Sequence, residues 1–190
     1  MDSTTFILFW GDTKTKKVSL PLYLDLGHYC DEWNPAMRDT FRIKRKINDV
    51  EYSIEVLEDD ELNEYSAIRD KFIHRNCGFV IVYSVAMSSS FMFIDEYIQS
   101  AKNCGEDGRA PILLVGSECE LKEERQVSTE EGMEMAEKYN IPFIEVSAKT
   151  GERMEEMLKM IIDEMNSLCQ DNSNGTSDKD DKGMKNCEIQ

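Results

Sequence analysis

Residues 10–19 read WGDTKTKKVS and follow the apolar run FILFW. They have the outline of a phosphate-binding loop, G-x-x-x-x-G-K-[ST], whose backbone N–H groups converge on phosphate while a lysine reaches it. Gly11 opens the string and Lys17 stands at the lysine position. Lys16 stands where the second glycine belongs, and Val18 where the hydroxyl belongs. Three readings are open on these residues: a plain basic loop, a loop whose Lys14, Lys16 and Lys17 hold an anion by charge alone, and a working phosphate cradle.

Such a loop needs a strand before it and a helix after it. TTFILFW reads as a buried strand, and residues 16–27 as a helix. TFRIKRKI and VEYSIEVL alternate with period two around Asn48-Asp49, which predicts a hairpin. GFVIVYSV (78–85), APILLVG (110–116) and IPFIEVS (141–147) are runs suited to strands buried on both faces. Between the first two, residues 88–103 carry Phe91, Ile94, Tyr97 and Ile98 at helical spacing. STEEGMEMAEKYN opens with Ser128 and Glu131 in capping-box spacing, and GERMEEMLKMIIDEM reads as a last amphipathic helix. Strands alternating with helices predict an α/β fold with a mostly parallel sheet and helices on both faces. Ligands in such sheets bind beyond the carboxyl ends of the strands. The opening stretch lies at one of those ends.

At 190 residues the chain suits one folded domain. Its formal charge of −16 argues against nucleic acid, which is bound by neutralising phosphates. The six cysteines form no C-x-x-C pair, and the N-terminus lacks the features of a secretory signal, so reduced cytosolic thiols are expected. His28 and His74 lack a triad partner and draw no catalytic role. From residue 170 the composition turns polar and poor in large apolar side chains. This predicts a folded domain over 1–169 and a disordered tail over 170–190.

Several strings are collinear with one family. EYSAIRDKFIHRNCGFVIVYSV, IPFIEVSAKTG, YCDEWNPAMRDTF and the terminal CEIQ resemble the switch II helix and fourth strand, the guanine loop, the effector loop and the C-a-a-X box of the Ras branch of small GTPases. The resemblance covers residues 4–168. It implies the small-GTPase, P-loop NTPase-like fold with a six-stranded, mostly parallel sheet. It also implies a guanine-nucleotide site with magnesium.

Against that family's pattern the site departs at several points. In the phosphate loop, Gly11 and Lys17 remain, while Thr13, Lys14 and Lys16 replace glycines. The magnesium positions hold Val18, Ala36 and Glu58, of which only Glu58 keeps an oxygen, and magnesium demands oxygen ligands. In switch II, Glu61 replaces a glycine and Leu62 the glutamine that orients water, while Glu58 to Glu61 set four acids where a polyanion would sit. The base-reading string N-K-x-D becomes Ser117-Glu118-Cys119-Glu120. Glu120 brings the right group at the wrong reach, Glu118 reverses a charge, and Ser117 is expected to lose its tie across the site. What remains of the base site is Tyr29 and the loop Ser147-Ala148-Lys149. The implied nucleotide site is therefore vestigial: Gly11, Lys17, Tyr29, Ser117, Glu120, Ser147, Ala148 and Lys149, with no catalytic and no metal-binding residue.

The effector loop keeps Pro35, Asp39 and Phe41 but carries Trp33 and Arg38. The resemblance implies protein partners at this surface and at switch II. Arg38 replaces an acid, so basic-faced partners are disfavoured. Cys187 in CEIQ fits a prenylation box, with Gln190 suggesting farnesyl. This implies attachment to the cytoplasmic face of a membrane, with a cytosolic pool because one lipid binds weakly. The expected function is an interaction protein of Ras-like fold, without GTP hydrolysis and with no resident cofactor. The alternative is a divergent but working switch that binds GTP or GDP with magnesium.

Overall fold

A computed structural model of the chain describes residues 4–30, 40–59, 77–105 and 109–174. Trp33, Pro35, Arg38, Asp39, the switch II string from Asp60 to Leu62, and Cys187 lie outside these residues.

The strands are β1 (Thr4–Trp10), β2 (Thr40–Ile47), β3 (Val50–Asp59), β4 (Cys77–Ser84), β5 (Ile112–Ser117) and β6 (Phe143–Glu145). The helices are α1 (Ser19–Leu26), α2 (Ser88–Phe91), α3 (Ile94–Cys104), α4 (Thr129–Tyr139) and α5 (Met154–Asn174). The sheet order is β2-β3-β1-β4-β5-β6. Among the described strands only β2 runs antiparallel to its neighbour. This is the six-stranded, mostly parallel sheet expected from the sequence.

Side chains of a strand point alternately to opposite faces, and β1 sorts itself accordingly. Ile7 and Phe9 join one core cluster, with Leu20 and Leu24 of α1 and Met157, Leu158 and Ile161 of α5. Phe6, Leu8 and Trp10 join the other, with Ile94, Tyr97 and Ile98 of α3. Each strand buried on both faces therefore reads as an unbroken apolar run. Phe41, an expected effector-loop residue, belongs to the first cluster and is 1% exposed. It pairs in register with Val56 and fills core space.

The hairpin forms where the sequence put it. Ile47 pairs with Val50, and both turn residues, Asn48 and Asp49, adopt positive φ (49° and 66°). Those angles match the twist of the flanking strands, and Asn and Asp tolerate them well. The capping box forms too: Ser128 Oγ accepts from the Glu131 amide at 3.1 Å, and the Ser128 amide donates to Glu131 Oε2 at 2.8 Å.

Three boundaries differ from the sequence reading. The first helix begins at Ser19, not near residue 16, because Thr13–Thr15 form a 3₁₀ turn and Lys16 turns left-handed (φ 50°, ψ 30°). The helix expected over 88–103 is broken into α2 and α3. Around the break, Ser90 spends its hydroxyl on the Met87 carbonyl at 2.7 Å and accepts the Ser84 amide at 3.0 Å. Serines that bond nearby backbone compete with helix propagation. Finally, α5 continues to Asn174, past Met165, where the expected last helix ended. A helix already docked on the sheet propagates at one hydrogen bond per residue without a new nucleation cost.

Candidate functional site

The carboxyl ends of β1, β4, β5 and β6 lie side by side: Tyr83 is level with Gly116, Ser84 with Ser117, and Gly116 with Glu145. The segments that leave these ends, residues 11–18, 118–121 and 146–151, carry the sequence-predicted site residues except Ser117, the last residue of β5, and Tyr29, which follows α1.

Gly11 has a reason to be glycine that involves no ligand. A Cβ there would lie 2.3 Å from the Val82 carbonyl oxygen of β4, at a backbone φ of 155°. The residues after it are bonded among themselves. Asp12 Oδ1 accepts the Lys14 amide at 2.8 Å. The Asp12 carbonyl accepts the Thr15 amide at 3.0 Å and the Thr15 hydroxyl at 2.7 Å. The Lys16 carbonyl accepts from both the Ser19 amide (2.9 Å) and its hydroxyl (2.7 Å). Lys17 is 1% exposed, whereas Lys14 and Lys16 are exposed. The three lysines therefore sit in unlike environments, which weakens the reading of an anion held by their joint charge.

Across from this loop, Glu118 sits in a left-handed conformation (φ 62°). One carboxylate oxygen accepts from the Ser84 hydroxyl at 2.6 Å; the other lies 3.5 Å from Lys16 Nζ. Ser117 is buried, and its hydroxyl donates to the Tyr83 carbonyl at 2.9 Å with the Thr15 carbonyl at 3.4 Å. The single hydroxyl proton goes to the Tyr83 carbonyl, so the 3.4 Å approach to the Thr15 carbonyl is a contact and not a second hydrogen bond. The Ser147 hydroxyl accepts the Thr150 amide at 3.1 Å, and its own amide donates to the Glu152 carbonyl at 3.1 Å. Ala148 is buried and Lys149 exposed, so the Ser-Ala-Lys string builds a closed turn. Tyr29 is half-buried against the first core cluster.

The Ras family model matches residues 6–167. The chain belongs to the Ras family. Its six-stranded, mostly parallel sheet with flanking helices is consistent with the small-GTPase fold.

In this Ras-family chain, two amides of the loop after β1 and the hydroxyl of Ser19 are already engaged within the loop. The amides of Lys14 and Thr15 are taken by Asp12. Val18 offers only methyl groups toward a cation that requires oxygen, and the next hydroxyl, on Ser19, is engaged with Lys16. The base side fits better. Glu120 Oε2 is buried without a hydrogen-bond partner among the described residues, an acceptor suited to an N–H donor. Beside it, the Cys119 thiol is pushed up to about 11, first by burial and then by Glu152, Glu120 and Glu145. That keeps it protonated and a poor nucleophile at neutral pH. Arg125 grips Glu145 with two bonds of 2.7 and 2.8 Å and so fixes the segment after the base loop onto β6.

The sequence reading passed over Asp12 and Ser84. Asp12 carried a usable signal, since an aspartate commonly bonds the backbone amide two residues on. Ser84 carried none, because its partner Glu118 is 34 residues away.

Proposed function

We propose that this Ras-family chain is an interaction module that has given up the nucleotide cycle. It binds protein partners through its effector-loop and switch II surfaces and does not turn over GTP. The observation that carries this reading is the self-bonded loop after β1, in which Asp12 holds the amides of Lys14 and Thr15. Leu62, which can neither donate nor accept, removes the means of orienting water. In this reading a prenyl group on Cys187 attaches the chain weakly to the cytoplasmic face of a membrane. The test is the nucleotide content of the purified protein, read by chromatography after heat release. Guanine nucleotide at one per chain would refute the proposal. The lipid is tested separately by comparing membrane fractions of wild type and Cys187→Ser in cells; equal partitioning refutes that part.

A second reading, a divergent switch that still binds GTP or GDP, is favoured by the buried, unpartnered Glu120 Oε2. Retention of nucleotide with magnesium-dependent phosphate release above a Lys17→Ala control would support it.

A further inference from the structure

We propose that Asp12 is a resident anion of the phosphate loop: its carboxylate occupies the Lys14 amide and keeps an incoming phosphate out. The inference rests on the reading above and deepens it, from a loop that has lost parts to a loop in which one amide is already taken by a carboxylate.

A carboxylate accepting a backbone N–H makes a charge-assisted bond, stronger than a neutral one. Asp12 Oδ1 makes such a bond to the Lys14 amide at 2.8 Å. Its own carbonyl takes both donors of Thr15, whose side chain is fully buried. A phosphate approaching the loop must break the Lys14 bond and then sit beside a like charge. The loop is also held from the far side. Lys16 reaches Glu118 at 3.5 Å, and Glu118 is anchored by the fully buried Ser84 at 2.6 Å. Opening the loop away from Asp12 therefore disturbs contacts to the ends of β4 and β5 as well.

Occupancy and charge can be separated. Asn at position 12 keeps a carbonyl oxygen for the Lys14 amide but removes the charge; Ala removes both. The experiment titrates inorganic pyrophosphate, without magnesium, into the full-length protein and its Asp12→Ala and Asp12→Asn variants by calorimetry. Wild type is expected to give no saturable heat, and Asp12→Ala to bind at least about tenfold more tightly than Asp12→Asn. No gain in Asp12→Ala over a silent wild type overturns this inference and leaves the proposed function standing. Equal gain in both variants also overturns it, because charge alone would then explain the exclusion. A wild type that binds pyrophosphate tightly overturns the inference and the proposed function together. Hydrogen exchange at Lys14 in the wild type keeps the inference testable even where Asp12→Ala fails to fold. The amide is expected to exchange at least about tenfold more slowly than in an unstructured peptide of the same loop; equal rates overturn the proposal.

Discussion

Lys16 Nζ lies 3.5 Å from Glu118 Oε1, joining the loop after β1 to the loop after β5. Lysine stands where the family pattern has glycine, and glutamate where it has lysine, so two departures that look like separate losses meet as one contact. Lys16 is 68% exposed, and exposed pairs contribute roughly 0.2–1 kcal/mol. Lys16 also holds a left-handed backbone, which costs a non-glycine residue about 1 kcal/mol. Lys16→Gly should therefore leave stability within about 1 kcal/mol of wild type, since the relieved backbone offsets the lost pair. A double-mutant cycle with Glu118→Ala, read by urea unfolding, should give a favourable coupling below about 1 kcal/mol. A repulsive coupling would mean the pair does not form in solution.

Repairing the phosphate loop alone should not restore guanine-nucleotide binding. A variant with Thr13→Gly, Lys14→Gly, Lys16→Gly and Val18→Ser still carries Asp12, Glu118, Glu120 and the acids from Glu58 to Glu61. Hydrogen bonds to charged groups are worth about 1.5–3 kcal/mol, and each 1.4 kcal/mol is about tenfold in affinity. Adding Ser117→Asn, Glu118→Lys, Glu120→Asp and Glu61→Gly should tighten GDP binding by at least about tenfold over the loop-only variant. Calorimetry with GDP and magnesium compares the two. Tight binding by the loop-only variant would show that the other departures do not matter.

Gly11→Ala should destabilise the fold by about 1–3 kcal/mol or more, whether or not any nucleotide is supplied. The added Cβ would lie 2.3 Å from the backbone oxygen of Val82, a central-strand atom that cannot move aside cheaply. Thermal or urea unfolding checks this. A change within about 0.5 kcal/mol, the size of an ordinary surface substitution, would show that β1 and β4 are spaced more loosely than described.

The capping box predicts both a stability loss and a pH effect. Ser128→Ala should cost about 1 kcal/mol at neutral pH. The Ser128 amide and hydroxyl hold the Glu131 carboxyl below its ordinary value of 4.5. A carboxyl lowered in the folded state stabilises at pH values above its unfolded pKa. That contribution is lost as pH falls through the folded value, so stability should drop below about pH 4.5. Glu131→Gln should flatten this part of the acid limb. An unchanged limb in unfolding measurements from pH 3 to 6, taken at intervals of roughly half a unit, would show that the bond is absent in solution.

The Ser128–Glu131 box was legible in the sequence because its signal is local in spacing and residue type. So were the apolar runs of β1, β4 and β5, since a strand covered on both faces is filled mostly by apolar side chains. The Asn48-Asp49 hairpin followed from period-two alternation on both sides of a turn pair. The departures at Lys16, Val18 and Glu118 were equally visible, but only as absences. What those residues do instead depends on which strands stand side by side. The sheet order brings Ser84 and Ser117 level, and that alone lets Glu118 bond Ser84 and reach Lys16. Phe41 shows the same limit from the other side: in the one-dimensional motif it reads as a docking residue, and the strand's alternation turns it into the core. Hydrogen bonds and ion pairs act over a few ångströms, so partners 34 or 102 residues apart become partners only when the packed sheet brings them within reach.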